Sequence, residues 1–227
     1  MFKVINKIYI LLFLGFCCCN NDPKNSETKT QAVQTDNSAV NKEQEALAIT
    51  FKEFTLSVDK WVNADVYNLV SFNANTKDTA FIHPQLGVSI EGEQLVVSSE
   101  QLTDITIEQR CERTLQIDIG EEAPCTLDAV QTFYSPNKKL EKNAAGHFVA
   151  DKYESFTLPE INMEELKNKI KSHCGENYYN KISALSSANQ APFSVIIYRY
   201  ILTVSGKHKN TGQIINKIIV VEMPLSC

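Results

Sequence analysis

Two side chains of this sequence have the type and position that chemistry in a cleft would need: His83 and Arg199. Of the four histidines, His83 is the one placed near a cleft mouth, because Pro84 follows it and turns the chain. A purely structural histidine is the alternative. Arg199 lies among β-branched and aromatic residues, where a buried guanidinium needs a carboxylate or carbonyl partner. We therefore predict a ligand pocket at Arg199 and His83, with an anionic ligand on Arg199. In the alternative, Arg199 lies on the wetter face of its sheet or pairs with a neighbouring glutamate.

The motifs that usually identify an enzyme or a metal site do not occur in the sequence. It has no P-loop, dinucleotide fingerprint, nucleophile elbow, metalloprotease helix or calcium loop. Neither a C-x-x-C nor an H-x-x-x-H spacing is present, so zinc is not expected. The sequence therefore predicts no catalytic residue, no metal and no cofactor.

The first 18 residues have the layout of an export signal. Lys3 and Lys7 make the start positive, and residues 8–16 form an apolar run. This run is too short to span a membrane, which takes about 20 residues. Three consecutive cysteines follow it, Cys17, Cys18 and Cys19. The segment resembles bacterial lipoprotein signals, in which Leu-x-(small)-Cys marks the cysteine that is acylated and becomes the first mature residue.

Cys19 is the predicted lipidation site. It has the small Cys18 before the cut and the polar Asn20 after it, whereas Cys17 follows the bulky Phe16. Cys18 and Cys17 are the alternatives, and an ordinary signal peptide with incidental cysteines is another. Two or three acyl chains would hold the protein on a membrane, since each buried methylene contributes about 0.8 kcal/mol. We expect a lipid-anchored protein of the Gram-negative envelope, on the outer membrane.

Four cysteines outside the signal could form disulfides in the oxidising envelope. They are Cys111, Cys125, Cys174 and Cys227. Of the three pairings that four cysteines allow, we predict Cys111–Cys125 and Cys174–Cys227. The first would close a loop of about 15 residues, worth about 3 kcal/mol of stability. Four separate buried thiols are the alternative.

The charge of the chain excludes one class of partner. Removal of the signal takes away Lys3 and Lys7, so the formal net charge changes from −5 to −7. Such an acidic chain lacks the basic footprint that nucleic-acid binding requires. It does not favour anionic lipid either, so membrane attachment must come from the anchor.

Two regions follow the signal. Residues 19–41 are rich in Asn, Thr, Ser, Gln and Lys and contain no aromatic residue, which predicts a disordered tether. Residues 42–227 have the length and apolar content of a single domain.

The start of this domain has a helical pattern, with apolar residues at three- and four-residue steps. These residues are Leu47, Phe51, Phe54, Val58, Trp61 and Val62. A second, shorter helix is predicted over residues 63–75. Short strands are predicted over residues 88–90, 95–97, 105–107 and 115–119.

The motif Ile82-His83-Pro84-x-x-Gly87-Val88, placed after two helices, resembles the opening of small secreted bacterial domains. Those domains have nuclear transport factor 2-like or cystatin-like folds. The resemblance covers about residues 43–100. It implies helices packed on a curved antiparallel sheet and transfers no chemistry to any residue.

The carboxyl-terminal half begins with a helix signal and ends with a hairpin signal. The sequence predicts that Asn162 is the N-cap of a helix and that the Glu165 side chain reaches back to the cap as in a capping box. Gly175 is predicted to end this helix. A strand is predicted over residues 178–185. Residues 193–204 and 214–223 are dense in β-branched and aromatic residues, and we predict that they pair antiparallel in the middle of the sheet. The predicted fold class is α+β, with N-terminal helices packed on a curved antiparallel sheet that ends in a long C-terminal hairpin.

The function favoured at this point is a binding or interaction module for an envelope protein or an extracellular ligand. Small-ligand binding in a pocket between helix and sheet is the second hypothesis, and an enzyme using that pocket is the least favoured. A partner module would expose a contiguous apolar patch. A ligand binder would have a pocket of about 300–1,000 Å³. An enzyme would add a titratable pair within hydrogen-bond reach.

Overall fold

The described part of the chain is built mainly of β-strands. A computed structural model describes residues 46–62, 65–69, 78–120, 122–153 and 156–224. The strands of the first sheet are β1 (Ala46–Thr50), β2 (Thr55–Val62), β5 (Gln94–Ser98) and β10 (Phe148–Val149). The strands of the second sheet are β3 (Val66–Leu69), β4 (Thr79–Pro84), β6 (Leu102–Ile117), β7 (Cys125–Thr126), β8 (Thr132–Tyr134), β9 (Lys138–Lys139), β11 (Phe193–His208) and β12 (Ile214–Glu222). The helices are α1 (Met163–His173) and α2 (Glu176–Ile182).

The first sheet has the order β1-β2-β5-β10, and its strands β1 and β2 occupy the segment where an amphipathic helix was predicted. That prediction is wrong. Leu47 and Ile49 are buried in β1 while their neighbours are exposed, which is the two-residue period of a half-buried strand. Phe51 and Phe54 fit the helical spacing only because they flank the β1–β2 turn, where the N–H of Phe51 donates to the carbonyl of Phe54 at 2.8 Å.

The second sheet has the order β3-β4-β12-β11-β6-β7, and β8 and β9 also pair with β6. The predicted C-terminal hairpin is present as β11 and β12, which pair antiparallel in the middle of this sheet. β4 joins β12 in parallel, while the other strand pairs of this sheet are antiparallel. The strand predicted over residues 105–107 and the first three residues of the one predicted over 115–119 belong to the single strand β6, which ends at Ile117. The strand over residues 95–97 is confirmed as β5, whereas residues 88–90 form no strand.

The main core lies between the two sheets, which pack face to face as a sandwich. Its buried side chains include Leu47, Ile49, Leu56, Val58 and Leu95 from the first sheet and Ile82, Ile107, Tyr200, Leu202, Val204, Ile219 and Val221 from the second. A second cluster, which we call the helical cluster, joins buried side chains of both helices to side chains of β6 and β11. It includes Leu115 and Ile117 of β6 and Leu166 and Ile170 of α1.

Local signals identified α1 correctly. Asn162 caps it, since the Asn162 Oδ1 accepts from the N–H of Glu164 at 3.1 Å and of Glu165 at 3.2 Å. The carboxylate of Glu165 pairs with Lys169 at 2.9 Å instead of reaching back to the cap. Gly175 follows the helix with a φ of 97°, a conformation that favours glycine. The strand predicted over residues 178–185 is wrong, because helix α2 occupies Glu176–Ile182.

The predicted fold class is therefore corrected from α+β to a predominantly β fold with two helices that follow the tenth strand. N-terminal helices packed on a sheet, which the family resemblance also implied, are not what residues 46–62 form. The helix predicted over residues 63–75 lies largely outside the described residues, and Val66–Leu69 within it is a strand. The three signal cysteines, the tether and Cys227 also lie outside the described residues.

Candidate functional site

Four charged or ionisable residues lie side by side across the second sheet. We call His83, Glu222, Arg199 and Glu112, in this order across β4, β12, β11 and β6, the charged row. The register places Arg199 opposite both Glu222 and Glu112. The residues beside them along the strands are buried in the sandwich core: Ile82, Val221, Tyr200 and Cys111. Because successive side chains of a strand point to opposite faces, the charged row lies on the outer face of the sheet.

Glu222 connects the two residues that the sequence singled out. Its Oε1 accepts from Arg199 Nη2 at 2.7 Å and from Arg199 Nε at 2.9 Å. Its Oε2 lies 3.3 Å from His83 Nδ1. Both carboxylate oxygens are thus engaged, and the carboxylate fixes the guanidinium and the imidazole relative to each other.

Glu112 closes the other end of the row from a buried position. Its Oε2 accepts from the Tyr198 hydroxyl at 3.1 Å and lies 3.7 Å from Arg199 Nη1. Its Oε1 lies 3.6 Å from Arg110 Nη2. Burial raises the pKa of Tyr198, and the charge of Glu112 raises it further. The phenol therefore stays protonated and remains a donor to the carboxylate.

A β-bulge places Tyr198 beside this row. Ile197 of β11 is opposite Arg113 of β6, but Arg199 is opposite the very next residue, Glu112, so Tyr198 is the extra residue of the bulge. The Tyr198 carbonyl accepts from the N–H of Met223 on the other side, at 2.9 Å. The bulge thus directs the tyrosine hydroxyl to Glu112 without breaking the hairpin.

A cleft of about 370 Å³ lies over the charged row. Its wall consists of His83, Pro84, Asp128, Tyr198, Arg199, Glu222, Met223 and Pro224. Three of these eight residues lie in the hairpin strands and two more, Met223 and Pro224, directly follow β12, so the hairpin forms most of the wall. The side chain of His83 is 37% exposed and that of Arg199 40%, which leaves both accessible to a ligand.

The structure brings the two predicted pocket residues into one cleft and changes the role expected for one of them. Arg199 does pair with a glutamate, one of the alternatives left open, and is therefore not free to receive an anion on its own. Sequence reasoning missed Glu222, Glu112 and Asp128. The missing information was the register of the strands, because Tyr198 and Glu112 are 86 residues apart in the chain.

The cysteines pair differently from either predicted disulfide. Cys125 is bonded to Cys174, which joins β7 to the end of α1. Cys111 is a buried free thiol, and burial raises its pKa. The predicted Cys111–Cys125 bond fails because Cys125 is opposite Ile117, six residues or about 20 Å along β6 from Cys111. The predicted Cys174–Cys227 bond fails because Cys174 is already paired.

Across the described ranges, no group of three or more His, Cys, Asp or Glu side chains could hold a metal ion. Within the same part of the chain, no helix is long and apolar enough to cross a membrane. No protein-family model, no curated protein and no solved structure matches the chain.

Proposed function

We propose that the protein is a lipid-anchored binding protein of the bacterial cell envelope that takes a small ligand in the cleft over the charged row. The observation that carries this proposal is the convergence of His83, Arg199 and Glu222 on one cleft of about 370 Å³. Small-molecule sites are clefts of about 300–1,000 Å³ with a few well-placed polar groups among apolar ones. Here Pro84 and Met223 supply apolar wall beside the charged groups.

The fixed geometry of the polar groups supports binding. Glu222 holds Arg199 and His83 through both of its oxygens, and the three residues stand on paired strands. A site that is ordered before the ligand arrives loses less side-chain entropy on binding.

The distribution of exposed apolar side chains favours a small ligand over a protein partner. Large exposed apolar side chains among the described residues are Leu86, Tyr134, Val149, Ile214 and Ile218. They come from four different segments, with only Ile214 and Ile218 on one strand. A partner-binding module would instead concentrate such side chains in one contiguous patch.

Methionine methyl groups offer a direct test of the cleft. The sequence has three methionines, and Met1 would be lost with the signal. Met223 lines the cleft, whereas Met163 packs in the helical cluster. In full-length mature protein labelled with ¹³C-methyl methionine, fragments that bind the cleft should shift the Met223 signal saturably and leave the Met163 signal in place. A fragment library that shifts neither signal, or both equally, would contradict the proposal.

Envelope attachment rests on the sequence before Asn20 and is supported by the Cys125–Cys174 bond, since disulfides form in oxidising compartments. Cells fed labelled palmitate should label the wild-type protein but not Cys19→Ser. Cys18→Ser serves as the matched control and should still be labelled. Labelling of Cys19→Ser would move the anchor to Cys18 or Cys17, and no labelling of the wild type would end the lipid proposal.

A further inference from the structure

The chemical class of the ligand follows from which charges in the cleft are already balanced. The carboxylates of Glu222 and Glu112 are matched one for one by the guanidinium groups of Arg199 and Arg110. Glu112 is the link between the two arginines, because each of its oxygens faces one of them. These two carboxylates and two guanidinium groups together therefore carry no net charge.

The cleft wall also carries the carboxylate of Asp128, which takes no part in these ion pairs. Its Oδ1 accepts from the Thr126 hydroxyl at 3.1 Å. Among the described residues, its second carboxylate oxygen has no hydrogen-bond or ion-pair partner. The loop that carries Asp128 is held in place, since Thr132 donates to the Asp128 carbonyl at 3.1 Å and Val130 to the Leu127 carbonyl at 2.9 Å. A fixed carboxylate with a free oxygen at the edge of a cleft is a counter-ion site for a cation.

The same cleft would bind an anion poorly. The anion would face the carboxylates of Asp128 and Glu222, with Glu112 behind them, and a guanidinium that two of these carboxylates already hold. The remaining wall includes Pro84, Met223 and Pro224, which are apolar and give an organic cation a non-polar body to contact.

We infer that the cleft selects a protonated organic amine, with Asp128 as the counter-ion of the ammonium group and the ion pairs of the charged row and Arg110 as its floor. This inference rests on the proposed function, because it specifies the ligand of the same cleft. Asp128 is the residue that determines specificity, and Arg199 positions the floor without receiving the ligand charge.

Three probes of equal size test the selection: benzylamine, benzyl alcohol and sodium benzoate. Each is titrated into the full-length mature protein, and the Met223 methyl signal is followed with Met163 as the internal control. Benzylamine should bind about 10- to 100-fold more tightly than the other two, the factor that one charge-assisted hydrogen bond provides. Asp128→Asn keeps the acceptor for Thr126 and should remove this preference.

Glu100→Gln is the matched control variant. It removes one negative charge at an exposed position beside the start of β6, at the opposite end of the sheet from the cleft, and should leave benzylamine binding unchanged. Benzoate or benzyl alcohol binding as tightly as benzylamine would overturn the amine selection and leave the cleft as a ligand site. A preference for benzylamine that persists in Asp128→Asn would overturn the role of Asp128. If none of the three probes shifts Met223 up to high millimolar concentration while library fragments do, the amine inference fails and the cleft remains a ligand site; if no fragment shifts Met223 either, the proposed function fails as well.

Discussion

Removal of the Cys125–Cys174 disulfide should destabilise the protein by about 4 kcal/mol. The two cysteines are 49 residues apart, and a loop of this length gives about 4 kcal/mol of unfolded-state entropy at 25 °C. The bond joins β7 to the end of α1, whose Leu166 and Ile170 are buried in the helical cluster. Its loss should therefore also loosen the packing of the helices on β6.

Urea unfolding of the Cys125→Ala, Cys174→Ala double variant measures this free energy. Trp61, the single tryptophan, is buried in the sandwich core and reports unfolding by fluorescence. The wild type in the presence of a reductant should match the double variant, and Cys111→Ala should keep the cross-link in peptide mapping. A double variant within about 1 kcal/mol of wild type would refute the loop-entropy argument. Loss of the cross-link in Cys111→Ala would refute the pairing itself.

Three further predictions concern other parts of the fold. Burial lowers the pKa of Lys217, but its ion pairs with Asp78 and Glu53 outweigh this and raise the pKa overall. A raised lysine pKa contributes stability that is complete below about pH 10 and lost above it, so the stability difference between wild type and Lys217→Met should shrink in urea titrations above that pH. The Cys111 thiol, buried and with a raised pKa, should resist iodoacetamide in the native protein and react in urea, as mass spectrometry would detect; rapid native labelling would contradict its burial. Asn162→Ala should cost about 1 kcal/mol in urea unfolding through loss of two cap hydrogen bonds, whereas Asn162→Asp should cost much less; equal losses would argue against the cap.

Elements that depend on residues close together in the chain were predictable from the sequence. Elements that depend on the pairing of distant segments were not. The α1 cap needs only Asn162 and the N–H groups two and three residues later, so the sequence alone was sufficient. The β11–β12 hairpin needs only two adjacent apolar segments. In contrast, residues 47–62 match two periods at once, because Leu47, Phe51, Phe54 and Val58 repeat at helical steps. The buried Ile49 and Leu56, which the helical stripe omits, show that the two-residue period prevails.

The two pocket residues could be identified because each has an unusual sequence context. Identifying their partners, however, required the strand register. Glu112 is 86 residues from Tyr198, and the β6–β11 alignment shifts by one residue at the bulge. No local pattern encodes that shift. Asp128 lies in a loop whose approach to the hairpin depends on the Thr132–Tyr198 contact of 3.0 Å, again between distant segments.

Glu222, however, could have been identified by an electrostatic argument. If the hairpin loop were residues 206–212, Ser205 would face Gln213 and Arg199 would face Ile219, which leaves a guanidinium of the sheet without a charged partner. Residues 214–223 contain one carboxylate, Glu222, so the requirement that such a group be paired selects this residue. Pairing Arg199 with Glu222 moves the register by three residues, extends the first strand and shortens the loop. This is the observed hairpin, in which Gly206 faces Ile215 and β11 continues to His208. The observed register thus places Arg199 beside Glu222 and so forms the middle of the charged row.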